Sequence, residues 1–287
     1  MTRLAVLADV HGNLPALEAV EADFERIGVD HVVVAGDLAI GAPFTRRVVE
    51  RALERGWALI RGNNEIYVTD FGSQRARPEW NDPVQFSVLR WAVRELGELR
   101  RLIAAWPDGL VLRYPDAPPV RVVHGSPRSP FEGLTPIAPE ETLIERIGGV
   151  EENLVVAAHT HLTMDRRVGR WRVLNPGSAG QPLDGCLEAG YMLLEARDGR
   201  WHPTVRRVSY DVERVLAECE RRAYVDECGP IGALVVEEQR TARSRVSPFL
   251  RWRAETCPDE PISFDLLARF REVDVWRYTS AHFLVNR

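Results

Sequence analysis

Short apolar runs, each followed by polar residues, recur along the first part of the chain. Leu4–Ala8, His31–Asp37 and Trp57–Ile60 are brief, mainly apolar runs, which is typical of strands buried on both faces of a sheet; the second ends in Gly36 and Asp37. Between them, Leu14–Ile27 and Pro43–Arg55 carry apolar residues at helical spacing. This order of strand, helix, strand, helix and strand predicts a parallel sheet with helices on its faces.

Further strands and helices are predicted along the rest of the chain. Tyr67–Pro83 is rich in arginine, proline and aromatic residues and is expected to form an irregular loop over the mouth of a site. The remaining predicted helices are Val84–Trp106 (broken near Gly97), Pro139–Ile147, Val212–Arg222, Ile231–Trp252 and Ile262–Tyr278. The remaining predicted strands are Leu110–Leu112, Val120–Val123, Leu154–Ala158, the hairpin Met164–Val168 with Trp171–Leu174, and the hairpin Tyr191–Ala196 with Trp201–Val208.

The change to a helical pattern near Asp211 suggests a division of the chain. We predict a core of residues 1–210 and a mainly helical C-terminal extension of residues 211–287. Simple packing of the extension on the core is the plainer alternative. A cap over a site and a contact between subunits are the functional ones.

Composition and charge exclude several classes of function. The net charge is −5, so no basic field favours nucleic acid or acidic membranes. All 37 basic residues are arginine, which excludes mechanisms that use a Schiff-base or P-loop lysine. The four cysteines (Cys186, Cys219, Cys228 and Cys257) are widely spaced, so we expect reduced thiols and no zinc knuckle. Because neither a secretory signal nor a transmembrane span is visible, we expect a cytoplasmic protein.

Metal-binding side chains follow directly after five of the predicted strands. They are Asp9 and His11, then Asp37, then Asn63, then His124, and finally His159 and His161. A single Asp-x-His or a lone histidine is usually a turn or a hydrogen-bonded residue. Here four of the seven histidines stand at strand ends, which a parallel sheet brings to one edge. A shared site therefore explains the pattern better than separate turns do.

The types of side chain at these positions suit a particular metal chemistry. Imidazole, carboxylate and amide oxygen without thiolate favour divalent manganese, iron, zinc, nickel or cobalt. Seven ligands are too many for one such ion but suffice for two ions that share a carboxylate. In a two-metal site a bridging hydroxide can attack phosphorus while both ions stabilise the phosphoryl charge. Neither G-x-S-x-G nor a complete G-x-G-x-x-G is present, so a serine triad and a dinucleotide-binding fold fit poorly.

Five segments resemble, in order and spacing, the motifs of the calcineurin-like metallophosphoesterases. They are Asp9-Val10-His11, Gly36-Asp37, Gly62-Asn63-Asn64-Glu65, His124-Gly125 and Ala158-His159-Thr160-His161. The turn Asn175-Pro176-Gly177-Ser178 is similar to the small prokaryotic phosphodiesterase branch of that superfamily. The resemblance covers Leu4 to Asp211 and implies an α/β fold, a four-layer α/β/β/α sandwich with its site at the carboxyl ends of the strands.

The resemblance also implies a role for each site residue. Asp9, His11 and His161 would hold one divalent ion, and Asn63, His124 and His159 the other. Asp37 would bridge the two ions, and Asp37, Asn63, Asn64 and His124 would take part in catalysis. Manganese is the first expectation for both ions, ahead of iron, nickel and zinc.

The residue at position 64 departs from the family pattern. Many relatives have a histidine there, whereas Asn64 can donate a hydrogen bond but cannot act as a general acid near neutral pH. Unactivated phosphomonoesters are therefore poor candidate substrates. We expect a dinuclear metal-dependent phosphodiesterase that acts on a phosphoester and has no nucleic-acid or membrane partner. A homo-oligomer is compatible with the sequence.

Two alternatives to a phosphodiesterase stay open. One is a phosphatase of the phosphoprotein or dinucleoside polyphosphate type, and the other is a metal-bound, non-catalytic scaffold that recruits a partner through residues 211–287. Four arginines near the site loops could bind a substrate phosphate, although solvated surface positions are the plainer interpretation: Arg61, Arg75, Arg77 and Arg128. Ser178 is expected to be a turn residue, and His31, His202 and His282 receive no functional role.

Overall fold

Ten strands form two five-stranded sheets in a computed structural model that describes residues 1–286. The strands are β1 (Arg3–Leu7), β2 (His31–Val34), β3 (Ala58–Leu59), β4 (Gly109–Tyr114), β5 (Ala117–Val123), β6 (Leu154–Ala157), β7 (Thr163–Val168), β8 (Trp171–Pro176), β9 (Glu188–Arg197) and β10 (Arg200–Ser209). The first sheet has the order β10-β9-β1-β2-β3 and the second the order β4-β5-β6-β8-β7. Both sheets mix parallel and antiparallel pairs.

Helices cover the outer face of each sheet, and a further group follows the last strand. They are α1 (Leu14–Ile27), α2 (Thr45–Glu54), α3 (Asn63–Asp70), α4 (Ser87–Leu96), α5 (Leu99–Ile103), α6 (Glu140–Ile147), α7 (Val212–Arg221), α8 (Tyr224–Thr241), α9 (Val246–Thr256) and α10 (Phe264–Arg271). Short 3-10 helices occur at Pro78–Asn81, Val275–Tyr278 and Ala281–Asn286. None of the helices within residues 1–286 has the length and apolar character that crossing a bilayer requires.

The alternation of side chains along β1 explains the four layers. Leu4 and Val6 pack between the two sheets, together with Val156 of β6. Ala5 and Leu7 point the other way and pack under the helices on the outer face of the first sheet. Because neighbouring residues of a strand face opposite sides, one fully apolar strand serves two cores at once. The predicted four-layer α/β/β/α sandwich is confirmed.

The parallel pairing predicted for the first three strands is confirmed, since β2 pairs parallel with both β1 and β3. The complete sheet is mixed, because β9 pairs antiparallel with β1, with Met192 opposite Val6. Tyr67–Pro83 is not wholly irregular, because its first four residues belong to α3 and Trp80 is buried in the core. Neither feature has a local signal in the sequence. Pairing of β9 with β1 joins residues that lie far apart in the chain, and burial of Trp80 depends on tertiary packing.

The predicted helix Ile231–Trp252 is wrong in its extent. It is two helices, α8 and α9, which are separated at Ala242, a residue with a left-handed φ of 50°. The buried carboxylate of Glu238 accepts the backbone N–H groups of Arg245 (2.6 Å) and Val246 (2.9 Å) at the start of α9. A side chain of one helix therefore satisfies the free N–H groups of the next, which fixes the sharp turn between them.

The helices that follow Asp211 pack against α4 of the predicted core. Trp91 of α4 shares an apolar cluster with residues of α7 to α10. The Tyr224 hydroxyl donates to the Gly41 carbonyl at 2.5 Å, and the Ser87 hydroxyl donates to the Cys228 carbonyl at 2.6 Å. These contacts attach the extension beside the loop that follows β2. The predicted extension ends at Arg287, which lies outside the described residues.

Candidate metal centre

The seven predicted ligands meet where the strands of both sheets end. Asp9 and His11 follow β1, Asp37 follows β2, Asn63 begins α3 after β3, His124 follows β5, and His159 and His161 follow β6. Five of the seven line one cavity of about 550 Å³, together with residues of the C-terminal helices: His11, Asp37, Asn63, His159 and His161. Two groups of three can each converge on a single point: Asp9, His11 and His161, and Asp37, His124 and His159.

Five of the seven predicted ligands have a left-handed backbone. Their φ angles are 55° at Asp9, 48° at His11, 56° at Asp37, 68° at His159 and 60° at His161. This conformation is uncommon outside glycine, and such strain clusters at functional sites. The loops are fixed by hydrogen bonds across strand ends, such as Asp9 N–H to the Gly36 carbonyl at 3.1 Å. The backbone is therefore shaped to present these side chains to one point.

In the first group, two imidazoles face each other. The Nε2 atoms of His11 and His161 are 3.1 Å apart, and they lie 3.8 Å and 3.6 Å from Asp9 Oδ1. Each ring is oriented through Nδ1, which bonds the Ile40 carbonyl (2.7 Å) or the Gln181 carbonyl (2.6 Å). Burial lowers the pKa of both histidines, so both rings are neutral and carry their proton on Nδ1.

These atoms form an arrangement that a cation would stabilise. With the protons on Nδ1, two nitrogen lone pairs and a carboxylate oxygen point at one another. Asp9 Oδ1 is buried and has no hydrogen-bond partner, and burial raises the pKa of this carboxyl group. Ligands at about 2.0–2.2 Å from one ion are roughly 3.0–3.6 Å apart, close to the spacing observed. The residues of the first group therefore fit a divalent ion.

The second group surrounds His124. Its Nε2 lies 3.4 Å from Asp37 Oδ1 and 2.9 Å from Asn63 Oδ1, while Nδ1 bonds the Ala35 carbonyl at 2.8 Å. Burial alone would lower the pKa of His124, but the adjacent Asp37 carboxylate raises it to about 10. Burial and the neighbouring His124 lower the pKa of His159 to about 4. A metal ion in this group would replace the proton that His124 shares with Asp37.

Asp37 lies between the two groups. Its Oδ1 faces His124 Nε2 at 3.4 Å, and its Oδ2 faces His11 Nε2 at 3.8 Å. Burial would raise the pKa of Asp37, but His124 and His11, together with the Asn64 N–H at 2.9 Å, lower it below its usual range. The carboxylate is thus ionised and presents one oxygen to each group.

Glu65 is a site residue whose importance the sequence analysis missed. Its carboxylate is fully buried and accepts the backbone N–H groups of Asp37 (2.7 Å), Leu38 (2.9 Å), Ala39 (3.1 Å) and Gly62 (2.7 Å). Burial and the charge of Asp37 raise its pKa to about 7, whereas the four donors favour the ionised form. A glutamate three residues after the N-cap of a helix could have indicated this capping role.

The remaining predicted residues have contacts of their own. The Asn64 amide lies 3.1 Å from His11 Nδ1 and 3.3 Å from the Ala39 carbonyl, so it supports the loops as well as lining the cavity. The expected turn role of Ser178 is confirmed, since its hydroxyl donates to the Asp9 carbonyl at 2.7 Å.

The four candidate arginines do not line the cavity. Arg61, Arg75 and Arg128 pair with acidic side chains, and Arg77 lies over the Phe131 ring. Arg146, which the sequence analysis did not single out, is the arginine among the described residues that line it.

Gly62 leaves no room for a side chain, so Gly62→Ala is expected to weaken Mn²⁺ binding at least about tenfold. An added Cβ would lie 2.0 Å from Asp37 Oδ1 and 2.7 Å from Asp37 N, and would displace the carboxylate. Calorimetric titration with Mn²⁺ measures the effect. Gly148→Ala is the matched control, because both glycines have negative φ but a Cβ at Gly148 meets nothing closer than 3.4 Å. Equal Mn²⁺ affinities of the two variants would contradict this prediction.

Three known proteins are similar to this chain. The 23% identity to the uncharacterized protein MJ0912 of Methanocaldococcus jannaschii extends over 227 residues, 74% of this chain and 89% of that protein. The metallophosphoesterase from Sphaerobacter thermophilus has a TM-score of 0.66 at 24% identity, covering 84% of this chain and 99% of that one. The hypothetical protein PH1004 from Pyrococcus horikoshii OT3 has a TM-score of 0.71 at 22% identity, covering 85% and 100%. At these identities the two structures show a shared fold.

The family is shown by the sequence itself. The sequence model of the calcineurin-like phosphoesterase superfamily domain matches residues 2–199, more than half of the chain. The matched range contains every predicted ligand and ends before α7. The protein therefore belongs to the calcineurin-like phosphoesterase superfamily.

Proposed function

We propose that this protein is a phosphodiesterase that works with two divalent metal ions. The observation that carries the proposal is the position of Asp37, with one carboxylate oxygen toward His11 and the other toward His124. An ionised carboxylate between two ligand groups is the arrangement that a pair of ions sharing one ligand requires. A single ion would leave one of the two groups without a cation.

The proposed ligand roles follow the two groups. Asp9, His11 and His161 hold one ion, while Asn63, His124 and His159 hold the other. Nitrogen and oxygen donors without thiolate suit manganese, and also iron, nickel or zinc. When bound, the two ions supply an activated water at neutral pH and stabilise charge on the phosphoryl group.

The protein's own residues orient and position the site. Backbone carbonyls of Ile40, Gln181 and Ala35 bond Nδ1 of His11, His161 and His124 and so direct each Nε2 into the site. These three bonds are set by the main chain, so the rings need no rearrangement on metal binding. In metal sites, loss of a partner that orients a ligand in this way typically lowers metal affinity or activity by about tenfold to a hundredfold.

Asn64 limits the leaving groups that the site can serve. Its amide is turned toward His11 and the Ala39 carbonyl, and an amide cannot donate a proton to a leaving alkoxide. An unactivated monoester that needs such a proton is then a poor substrate. An aryl ester, whose leaving group is stable as an anion, needs no such proton. The second negative charge of a monoester would meet no free arginine in the described part of the cavity, because Arg146 is paired with Glu132, and this favours a diester over a monoester with the same leaving group.

The proposal is tested by removing and restoring the metal. The protein is stripped with a chelator, and Mn²⁺ is added back before bis(p-nitrophenyl) phosphate and p-nitrophenyl phosphate are compared. We expect activity only after Mn²⁺ is restored, with kcat/KM at least about tenfold higher for the diester. A preference for the monoester would instead support a phosphatase. No turnover of either substrate with two ions bound would support a non-catalytic scaffold.

A further inference from the structure

The cavity beside the metal centre has an apolar wall to which residues beyond the superfamily match contribute. Ile231 and Val235 of α8 and Leu250 of α9 belong to it and lie beyond residue 199. Val88 and Leu89 of α4 and Ile40 of the loop after β2 complete it from within the matched range. We refer to these six residues as the apolar wall. Ligand pockets commonly combine such a surface with a few polar groups at one end.

We propose that the apolar wall binds an uncharged, apolar ester group of the phosphodiester substrate. The inference rests on the proposed function, because it assigns the metal centre to the phosphoryl group and the wall to the group beside it. The C-terminal helices then supply half of the residues that select the substrate.

The position of the wall relative to the metal centre is fixed by direct contacts. The Ile40 carbonyl accepts the Nδ1 proton of His11 at 2.7 Å, and the Ile40 side chain packs against the cluster that α8 and α9 form. The next residue, Gly41, accepts the Tyr224 hydroxyl at 2.5 Å. One short loop thus contacts a predicted ligand and the extension. His11, Asp37 and the wall line the same cavity, so an ester group attached to the phosphorus would lie in the space that the wall borders.

Charge around the cavity argues against a second anionic or a cationic group there. Among the described lining residues, Arg146 donates to the Gly133 carbonyl at 2.7 Å and lies 3.4 Å from Glu132. The buried Glu238 carboxylate accepts the Gln181 amide at 2.5 Å as well as two backbone N–H groups. The charged groups of Arg146 and Glu238 therefore already have partners within the protein. An uncharged group is what the remaining apolar surface would bind best.

The cavity is large enough to hold an ester group beside the phosphate. Its volume of about 550 Å³ is far larger than a phosphoryl group needs. A cavity of about 150 Å³ already holds benzene, so a phenyl or hexyl group fits beside the phosphate.

The test uses three phosphodiesters that share a p-nitrophenyl leaving group and carry methyl, hexyl or phenyl as the other ester. With the Mn²⁺-loaded full chain, we expect kcat/KM to be at least about tenfold higher for hexyl or phenyl than for methyl. The hexyl and phenyl esters distinguish a flexible alkyl occupant from a flat aromatic one. Equal values for all three would overturn the inference and leave the proposed function intact.

Val235→Thr and Val236→Thr form a matched pair of variants. Threonine keeps the shape of valine but places a hydroxyl on the wall at position 235, whereas Val236 is not part of the cavity lining. Val235→Thr is expected to reduce the preference for the larger esters over the methyl ester about threefold or more, whereas Val236→Thr is expected to keep the wild-type preference. Equal preferences in the two variants would contradict the assignment of the wall.

A binding measurement separates this inference from the proposed function. Phenylphosphonate and methylphosphonate are not hydrolysed, and calorimetry gives their Kd values for the Mn²⁺-loaded protein. We expect phenylphosphonate to bind at least about tenfold more tightly. If no diester is turned over but this difference is found, the apolar site stands and the proposed function fails. Equal Kd values overturn the inference whatever the activity.

Discussion

Asp37→Asn is expected to lower kcat/KM for an aryl phosphodiester by about a thousandfold or more. The carboxylate presents one oxygen to His11 and the other to His124, at 3.8 Å and 3.4 Å. An asparagine has no charge and replaces one of these oxygens with an NH₂ group that cannot bind a metal ion. One ligand group then loses its anionic partner, so metal content is expected to fall along with activity.

The fold should survive this substitution, and a matched control tests that. Asparagine tolerates the left-handed φ of 56° at position 37. Asp198→Asn is the control, because Asp198 has a φ of 50° in the exposed turn between β9 and β10. We expect both variants to keep the wild-type circular dichroism spectrum and only Asp37→Asn to lose activity. An Asp37→Asn variant that kept a tenth of the activity would contradict a shared metal ligand at this position.

Glu65→Gln is expected to reduce the free energy of unfolding by about 2–4 kcal/mol, although Glu65 is not a predicted metal ligand. Oε1 of Glu65 accepts two backbone N–H groups, and Oε2 accepts those of Asp37 and Gly62 at 2.7 Å each. A glutamine amide has one acceptor oxygen, so its NH₂ group would face two donors. Two buried N–H groups would lose their partners, and the Asp37 loop would shift.

Urea denaturation and diesterase assays measure the two consequences for Glu65→Gln. Glu98→Gln is the control, because Glu98 is 86% exposed and its ion pair with Arg101 lies at the surface. The control is expected to change stability by less than about 0.5 kcal/mol and to leave activity unchanged. A Glu65→Gln protein within about 1 kcal/mol of wild type would show that the loop does not depend on this carboxylate.

The meeting of the seven predicted ligands at one place could be predicted from the sequence because their positions in the chain depend on local features. A short apolar run predicts a strand, and Asp9, Asp37, His124 and His159 follow such runs within a few residues. The edge at which parallel strands end is fixed by topology, so the shared location of these residues followed. Their distances and left-handed backbone angles carry no sequence signal beyond the neighbouring glycines.

The role of Glu65 and the position of the apolar wall depend on tertiary contacts, which no local sequence pattern predicts. Val235 lies about 200 residues from Asp37 in the chain, yet both line one cavity. His282, which received no role from its sequence context, lines the same cavity through a 3-10 helix near the end of the chain. Periodicity showed that α8 and α9 are helical, but it does not show which face meets α4.

Anomalous diffraction from crystals grown with Mn²⁺ tests most directly whether Asp37 is shared by two ions. The expected result is two peaks about 3.5–4 Å apart, one among Asp9, His11 and His161 and one among Asn63, His124 and His159. Both peaks should lie within bonding distance of the Asp37 carboxylate. A single peak, or two peaks of which only one contacts Asp37, would contradict a shared carboxylate and the two-metal phosphodiesterase built on it.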